Sequence, residues 1–96
     1  MAAYVVYTMH ELKDPALFAE YRKAIAPTIP AHGGRRKAAA GAFEVVEGEW
    51  PGVMVTILEF DDMETIRRWY NSDEVKPVME MRQRAADGSL IIVEGV

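Results

Sequence analysis

Val53-Met54-Val55-Thr56-Ile57-Leu58-Glu59-Phe60 is apolar at nearly every position, and alternate side chains of a strand point to opposite faces of a sheet. Met54, Leu58 and Phe60 therefore make one apolar face and Val53, Val55 and Ile57 the other, so the segment reads as a central strand covered on both sides. Tyr4-Val5-Val6-Tyr7-Thr8-Met9 has the same character, being rich in the β-branched and aromatic residues that favour strands. Helices packed on such a sheet bury only one of the two sets. Leaving the other in water exposes more apolar area than a monomer usually carries, whereas face-to-face pairing with a second copy buries it. At about 25 cal/mol per Å², burial of about 300 Å² per subunit is worth about 7 kcal/mol before the cost of association. That rivals the stability of a small domain, and a homodimer joined through its sheet faces is expected.

Working outward, Asp61 stands three residues before Glu64, the spacing of a capping box, and Met63, Ile66, Trp69 and Tyr70 supply the apolar side of the helix it would start. Asn71-Ser72-Asp73 breaks that helix and offers a new cap, after which Val75, Val78, Met79, Met81 and Arg82 continue at helical spacing, with Pro77 tolerable only early. Asp87-Gly88 is a turn signal before a short apolar strand, Leu90 to Val93. In the other direction, Glu47-Gly48-Glu49-Trp50-Pro51-Gly52 is turn chemistry, predicting a hairpin with an extended stretch from Arg35 to about Val46. Within that stretch Ala38, Ala39 and Ala40 are weak strand formers and Gly41 suggests a bulge. Asp14-Pro15 is a helix start, with Leu17, Phe18, Tyr21 and Ile25 on one face. Pro27 and Pro30 stop the regular helix near Ala26, and His32-Gly33-Gly34 ends the segment.

The order is β-α-β-β-α-β. Two strand-helix-strand units joined by a hairpin make an α+β ferredoxin-like sandwich: a four-stranded antiparallel sheet, first and third strands central, helices on one face. All 96 residues are expected to form one such domain.

Charge and composition narrow the partners. The net charge is -4 and the basic residues are dispersed except for Arg35, Arg36 and Lys37, so no broad positive face exists to neutralise a nucleic-acid backbone. Those three suit a solvated sheet edge that discourages aggregation. The chain has no cysteine, hence no disulfide or thiolate chemistry, which fits a reducing cytoplasm. No basic leader precedes an apolar stretch and no apolar run approaches the about 18 residues of a membrane span, so neither secretion nor membrane insertion is expected.

Candidate site residues are few. His32, beside two glycines, suits proton exchange at a cleft, while a histidine at a helix C-terminus also caps the last carbonyls and Gly33 suits a left-handed cap. Trp50 and Trp69 are candidates to wall a pocket for a flat or apolar molecule, although Trp69 lies on the inward side of its helix, where core packing is the default. Glu59 interrupts an apolar strand and either faces a cavity or pairs with a cation such as Arg22 or Arg82. Tyr21, Tyr70 and Asn71 are candidate hydrogen-bond donors to a ligand, Asn71 being also a natural helix terminator. The candidate ligand-binding set is thus Tyr21, His32, Gly33, Trp50, Glu59, Trp69, Asn71 and Arg82. There is no phosphate-cradling glycine loop and no His-Glu-x-x-His, and with only His10 and His32 a histidine metal site within one chain is not expected. A metal-free and cofactor-free protein is the default.

Five short motifs in order, Phe18-Ala19-Glu20-Tyr21-Arg22, His32-Gly33-Gly34, Glu47-Gly48-Glu49-Trp50-Pro51, Leu58-Glu59-Phe60 and Trp69-Tyr70-Asn71-Ser72, resemble the bacterial domain-of-unknown-function family numbered 1330, from about Tyr4 to Gly95. The resemblance implies the dimeric α+β barrel superfamily, whose subunits join sheet to sheet and whose members include cofactor-free monooxygenases, haem-degrading enzymes, lactone isomerases, stress-induced proteins and ligand-sensing domains. It implies no particular activity. The Lys37-Ala38-Ala39-Ala40 stretch departs from the larger strand residues expected there. Two functions are carried forward: binding of a small apolar or aromatic metabolite in a cleft near the dimer interface, and a cofactor-independent monooxygenase or isomerase using His32 as acid or base.

Overall fold

A computed structural model describes residues 1–96. Its elements run β1 (Ala3–Leu12), α1 (Pro15–Ile25), α2 (Thr28–Ala31), β2 (Arg35–Ala39), β3 (Met54–Phe60), α3 (Met63–Asn71), α4 (Lys76–Ala85) and β4 (Ala86–Glu94). The strands form one antiparallel sheet in the order β2-β3-β1-β4, so the two doubly apolar strands are central, as their sequences require. No helix is long and apolar enough to cross a membrane.

Register decides which apolar set meets the helices. Val5 pairs with Leu58 and Ile92, and Ala3 with Phe60; these side chains, with Ile66, Trp69 and Met79 from the helices and Val75 just before α4, form the main core. A smaller cluster around Tyr7, Met9, Phe18 and Ala85 continues it toward the other end of β1. The opposite sheet face carries Val6, Val55 and Ile57, flanked by Val53, Ile91 and Val93, which are 65, 57 and 45% exposed. One face is thus a packed core and the other a largely apolar surface that the helices do not cover.

Local chemistry explains the helix ends. Asp14 accepts a hydrogen bond from the Leu17 N–H at 3.0 Å with Pro15 in the first turn, which starts α1. Pro27 and Pro30 divide the following segment into the single turn α2. That turn ends in a Schellman motif: the Gly33 N–H donates to the Pro30 carbonyl at 3.1 Å and the Gly34 N–H to the Ile29 carbonyl at 2.8 Å, with Gly33 at φ +82°. Gly34 is then pressed against the Phe60 ring, where a Cβ would stand 2.5 Å from Cζ. Here glycine is required by space, and it lets β2 dock beside β3.

Three expectations need correction. The second strand does not extend to Val46: it stops at Ala39, because Ala40 turns to φ +60° and residues 41–53 form no regular element. Small residues with weak strand preference hold too little cross-strand contact to continue the ladder. The helix after β3 is capped by Asp62, not Asp61; the Asp62 carboxylate accepts from the Thr65 N–H at 2.8 Å and from its hydroxyl at 2.7 Å, while Asp61 turns to Arg35 at 3.5 Å. Asp87-Gly88 is not a turn but part of a nine-residue β4 that leaves α4 directly. β1 runs on to Leu12 and pairs with it across a bulge between Met9 and Glu11, and Lys13 meets Asp87 at 3.1 Å. The long partner strand thus overrides the local turn signal.

Candidate functional site

The backbone of α1 lies close to α4 and set back from the strands, which its side chains reach through Phe18 and Ile25. Its inward face, with Tyr21 and Ile25, therefore stands off the sheet and leaves a cavity of about 100 Å³ beneath it. Val5, Tyr7, Met54 and Leu58 contribute from the sheet, and Trp69 and Met79 from the helices. Ala39 at the end of β2 and Ala40 just beyond it also line it. Their short side chains stand where strands usually carry branched or aromatic ones, and that substitution of small for large leaves the opening. Of 17 lining residues 14 are hydrophobic; the other three are Arg22, Arg36 and Thr56.

Polar groups gather behind one wall. Arg82 is only 6% exposed, donates to the Met79 Sδ at 3.2 Å, and lies 4.6 Å from the centre of the Tyr7 ring, within cation–π range. It takes part in none of the chain's ion pairs. Burial pushes the phenols of Tyr21 and Tyr7 up, and in each case the neighbouring Arg82 charge opposes that shift. The Tyr7 hydroxyl is buried without a hydrogen-bond partner, an arrangement that costs free energy unless something else meets it.

The structure brings together only part of the candidate set. Tyr21 and Trp69 line the cavity and Arg82 stands one side chain behind it. Trp69 is at the same time core: it is 1% exposed, its Nε1–H donates to the Thr28 hydroxyl at 3.0 Å, and that hydroxyl donates to the Ile25 carbonyl at 2.7 Å. His32 lies outside the lining, with Nδ1 2.8 Å from the Thr28 carbonyl; that contact requires the proton on Nδ1, which then donates in a capping role. Gly33 beside it serves the turn geometry. Asn71 donates from Nδ2 to the Arg67 carbonyl at 2.9 Å and borders a separate, wider depression with Ile66, Tyr70 and Ile92. Trp50 stands beyond the opposite sheet face, where Gly52 next to it packs on the Thr8 methyl.

Glu59 is also on that opposite face, and the partners expected for it, Arg22 or Arg82, are replaced by others. It accepts from Arg35 Nε at 3.0 Å and from the Tyr4 hydroxyl at 3.1 Å, with Lys37 at 3.9 Å. The strand register dictates this, since Arg35 and Tyr4 are its direct cross-strand neighbours. The Arg35 and Tyr4 hydrogen bonds hold its carboxyl below the ordinary value of 4.5. A lowered folded value stabilises the fold above the unfolded value, and the contribution is lost as pH falls through the lower one. Glu59→Gln is therefore expected to show a flatter decline in stability than the parent as pH falls through and below the ordinary carboxylate range, measured by urea denaturation; parallel declines would refute the coupling.

Residues that sequence reasoning missed are Tyr7, Arg36 and Ala39. Arg36 was legible in principle, because it has the opposite strand parity to Arg35; the bulge between Arg36 and Ala38 blurs that alternation.

The model of the domain of unknown function DUF1330 matches residues 2–96. The chain belongs to that family. No curated protein matches this DUF1330 chain. Among solved structures, it is similar to a protein of unknown function from Rhodopseudomonas palustris, at TM-score 0.74 and 17% identity over 99% of this chain and 82% of that one. It is similar to a dimeric ferredoxin-like protein of unknown function from Jannaschia, at TM-score 0.69 and 11% identity over 99% and 100% of the two chains. SnoaB, a cofactor-independent oxygenase from Streptomyces nogalater, matches at TM-score 0.67 and 12% identity over 99% and 93%. These likenesses establish the shared ferredoxin-like α+β fold of this DUF1330 domain, with activity left to its own side chains.

Proposed function

We propose that this DUF1330 protein binds a small apolar or aromatic metabolite in the cavity beneath α1, and does so as a homodimer joined through the open sheet face. The observation that carries the first part is the cavity itself: a largely apolar chamber kept open by Ala39 and Ala40 and bordered by Tyr21 and Trp69. The second part rests on Val53, Ile91 and Val93, exposed around Val6, Val55 and Ile57 on a face the helices do not reach. That the similar Jannaschia protein is dimeric supports it. With no cysteine in the chain, a reducing cytoplasmic setting suits the protein.

Binding is preferred over catalysis by His32, because the ring's Nδ1 is committed to the Thr28 carbonyl and the residue is not part of the lining. An NMR titration with benzyl alcohol tests the binding reading. Shifts are expected at Tyr21, Ile25, Met79 and the Trp69 indole N–H, and are expected to vanish in Ala39→Phe, which fills the opening. Shifts confined to other parts of the chain would overturn it.

A further inference from the structure

The charged residues around the cavity all have the same sign. Its charged lining consists of Arg22 and Arg36, with no acidic residue, in a chain where 15 acidic residues outnumber 11 basic ones. Neither arginine is in an ion pair, although Arg35 and Lys37, the immediate neighbours of Arg36, both reach Glu59. The parity of β2 separates them: Arg35 pairs across to Glu59 on the open face, while Arg36 pairs with Leu58 and points to the cavity side. A third guanidinium, Arg82, touches two of the lining residues, Tyr7 and Met79, its charge acts on a third, Tyr21, and it is buried and in none of the chain's ion pairs. A buried cation is ordinarily paired, since desolvation without a counter-charge is costly. Three unpaired guanidiniums around one small apolar chamber make its potential positive inside an acidic protein.

We propose that the molecule this cavity takes is a small organic acid, a single apolar or aromatic ring bearing one carboxylate, with the ring under α1 and the carboxylate received at the mouth by Arg22 and Arg36. This rests on the cavity being a binding site. Size sets the upper limit: an enclosed apolar cavity of about 150 Å³ holds benzene, so a chamber of about 100 Å³ has room for no more than one ring, with the head group left outside at its open mouth. Planar guanidinium forks match a carboxylate in geometry as well as charge. Arg82 does not reach the rim; it is a positioning residue that keeps the inner wall positive through Tyr7 and Tyr21.

Calorimetric titration of the full chain with benzoate and with its uncharged isostere benzamide, at low salt, tests this. Benzoate is expected to bind at least about tenfold more tightly, the scale of one charge-assisted hydrogen bond. In Arg22→Gln/Arg36→Gln, whose changes are exposed and leave the core intact, the ratio is expected to fall to about twofold or less. Raising the salt is expected to weaken benzoate and leave benzamide unchanged. Equal affinity for the two compounds would overturn the charge assignment while the cavity reading stands. Binding of neither would overturn both. A benzoate preference that survives the double substitution would remove Arg22 and Arg36 as its receptors and overturn the assignment as well.

Discussion

Trp69→Ala is expected to lower the stability of the chain by about 4 kcal/mol, a large part of the roughly 5–15 kcal/mol available to a domain of this kind. Trp69 is 1% exposed, and its ring lies 5.3 Å from that of Phe60 at an interplanar angle of 40°. Removing the indole leaves a void that joins the existing cavity, and the surroundings relax only in part, so the lost transfer energy and the cost of the void add. It also deletes the bond to Thr28, which ties α2 to α3. Trp69→Phe keeps most of the apolar volume and loses only the indole N–H with part of the ring; about 1–2 kcal/mol is expected. Urea denaturation followed by circular dichroism reads both. A loss below about 1.5 kcal/mol for the alanine variant would mean that this side chain does not anchor the helix layer.

The second large effect concerns assembly. Ile57→Lys is expected to convert the proposed dimer to a monomer, with dissociation constants shifted by at least about a hundredfold, because two-fold pairing of sheets would bring a pair of ammonium groups into one apolar interface. Ile57 lies on the face away from the helices, between Val6 on β1 and Ala38 on β2, and is only half-buried in the single chain. The fold itself is therefore expected to survive, with an unchanged far-ultraviolet spectrum. Sedimentation velocity at micromolar concentration separates the outcomes. A parent protein that sediments as one subunit, or a variant that stays paired, would refute the proposed interface.

How far the residues alone could be read depended on range. Strand identity at β1 and β3 followed from side-chain alternation within single segments, and the Asp14-Pro15 start of α1 from groups three residues apart. Where two signals competed locally, the outcome depended on neighbours distant in sequence: Asp87-Gly88 was drawn into β4 by the extended end of β1, and the cap of α3 moved to Asp62 as Asp61 turned to Arg35. The site was less legible than the fold. Tyr21 and Trp69 carried an aromatic signal and Arg36 a parity signal blurred by the bulge after it, but nothing local marks Arg82 as buried, and Glu59 found its partners through register.

By itself the sequence determined the element order, the central strands and the apolar character of both sheet faces, because these follow from periodicities of two and 3.6 residues within short stretches. Only the tertiary structure decided the extent of β2 and β4, the partners of Glu59 and the convergence of Tyr7, Tyr21, Arg22, Arg36 and Arg82 around one chamber. Those outcomes depend on cross-strand register and on how α1 leans, and both are settled by packing between segments far apart along the chain.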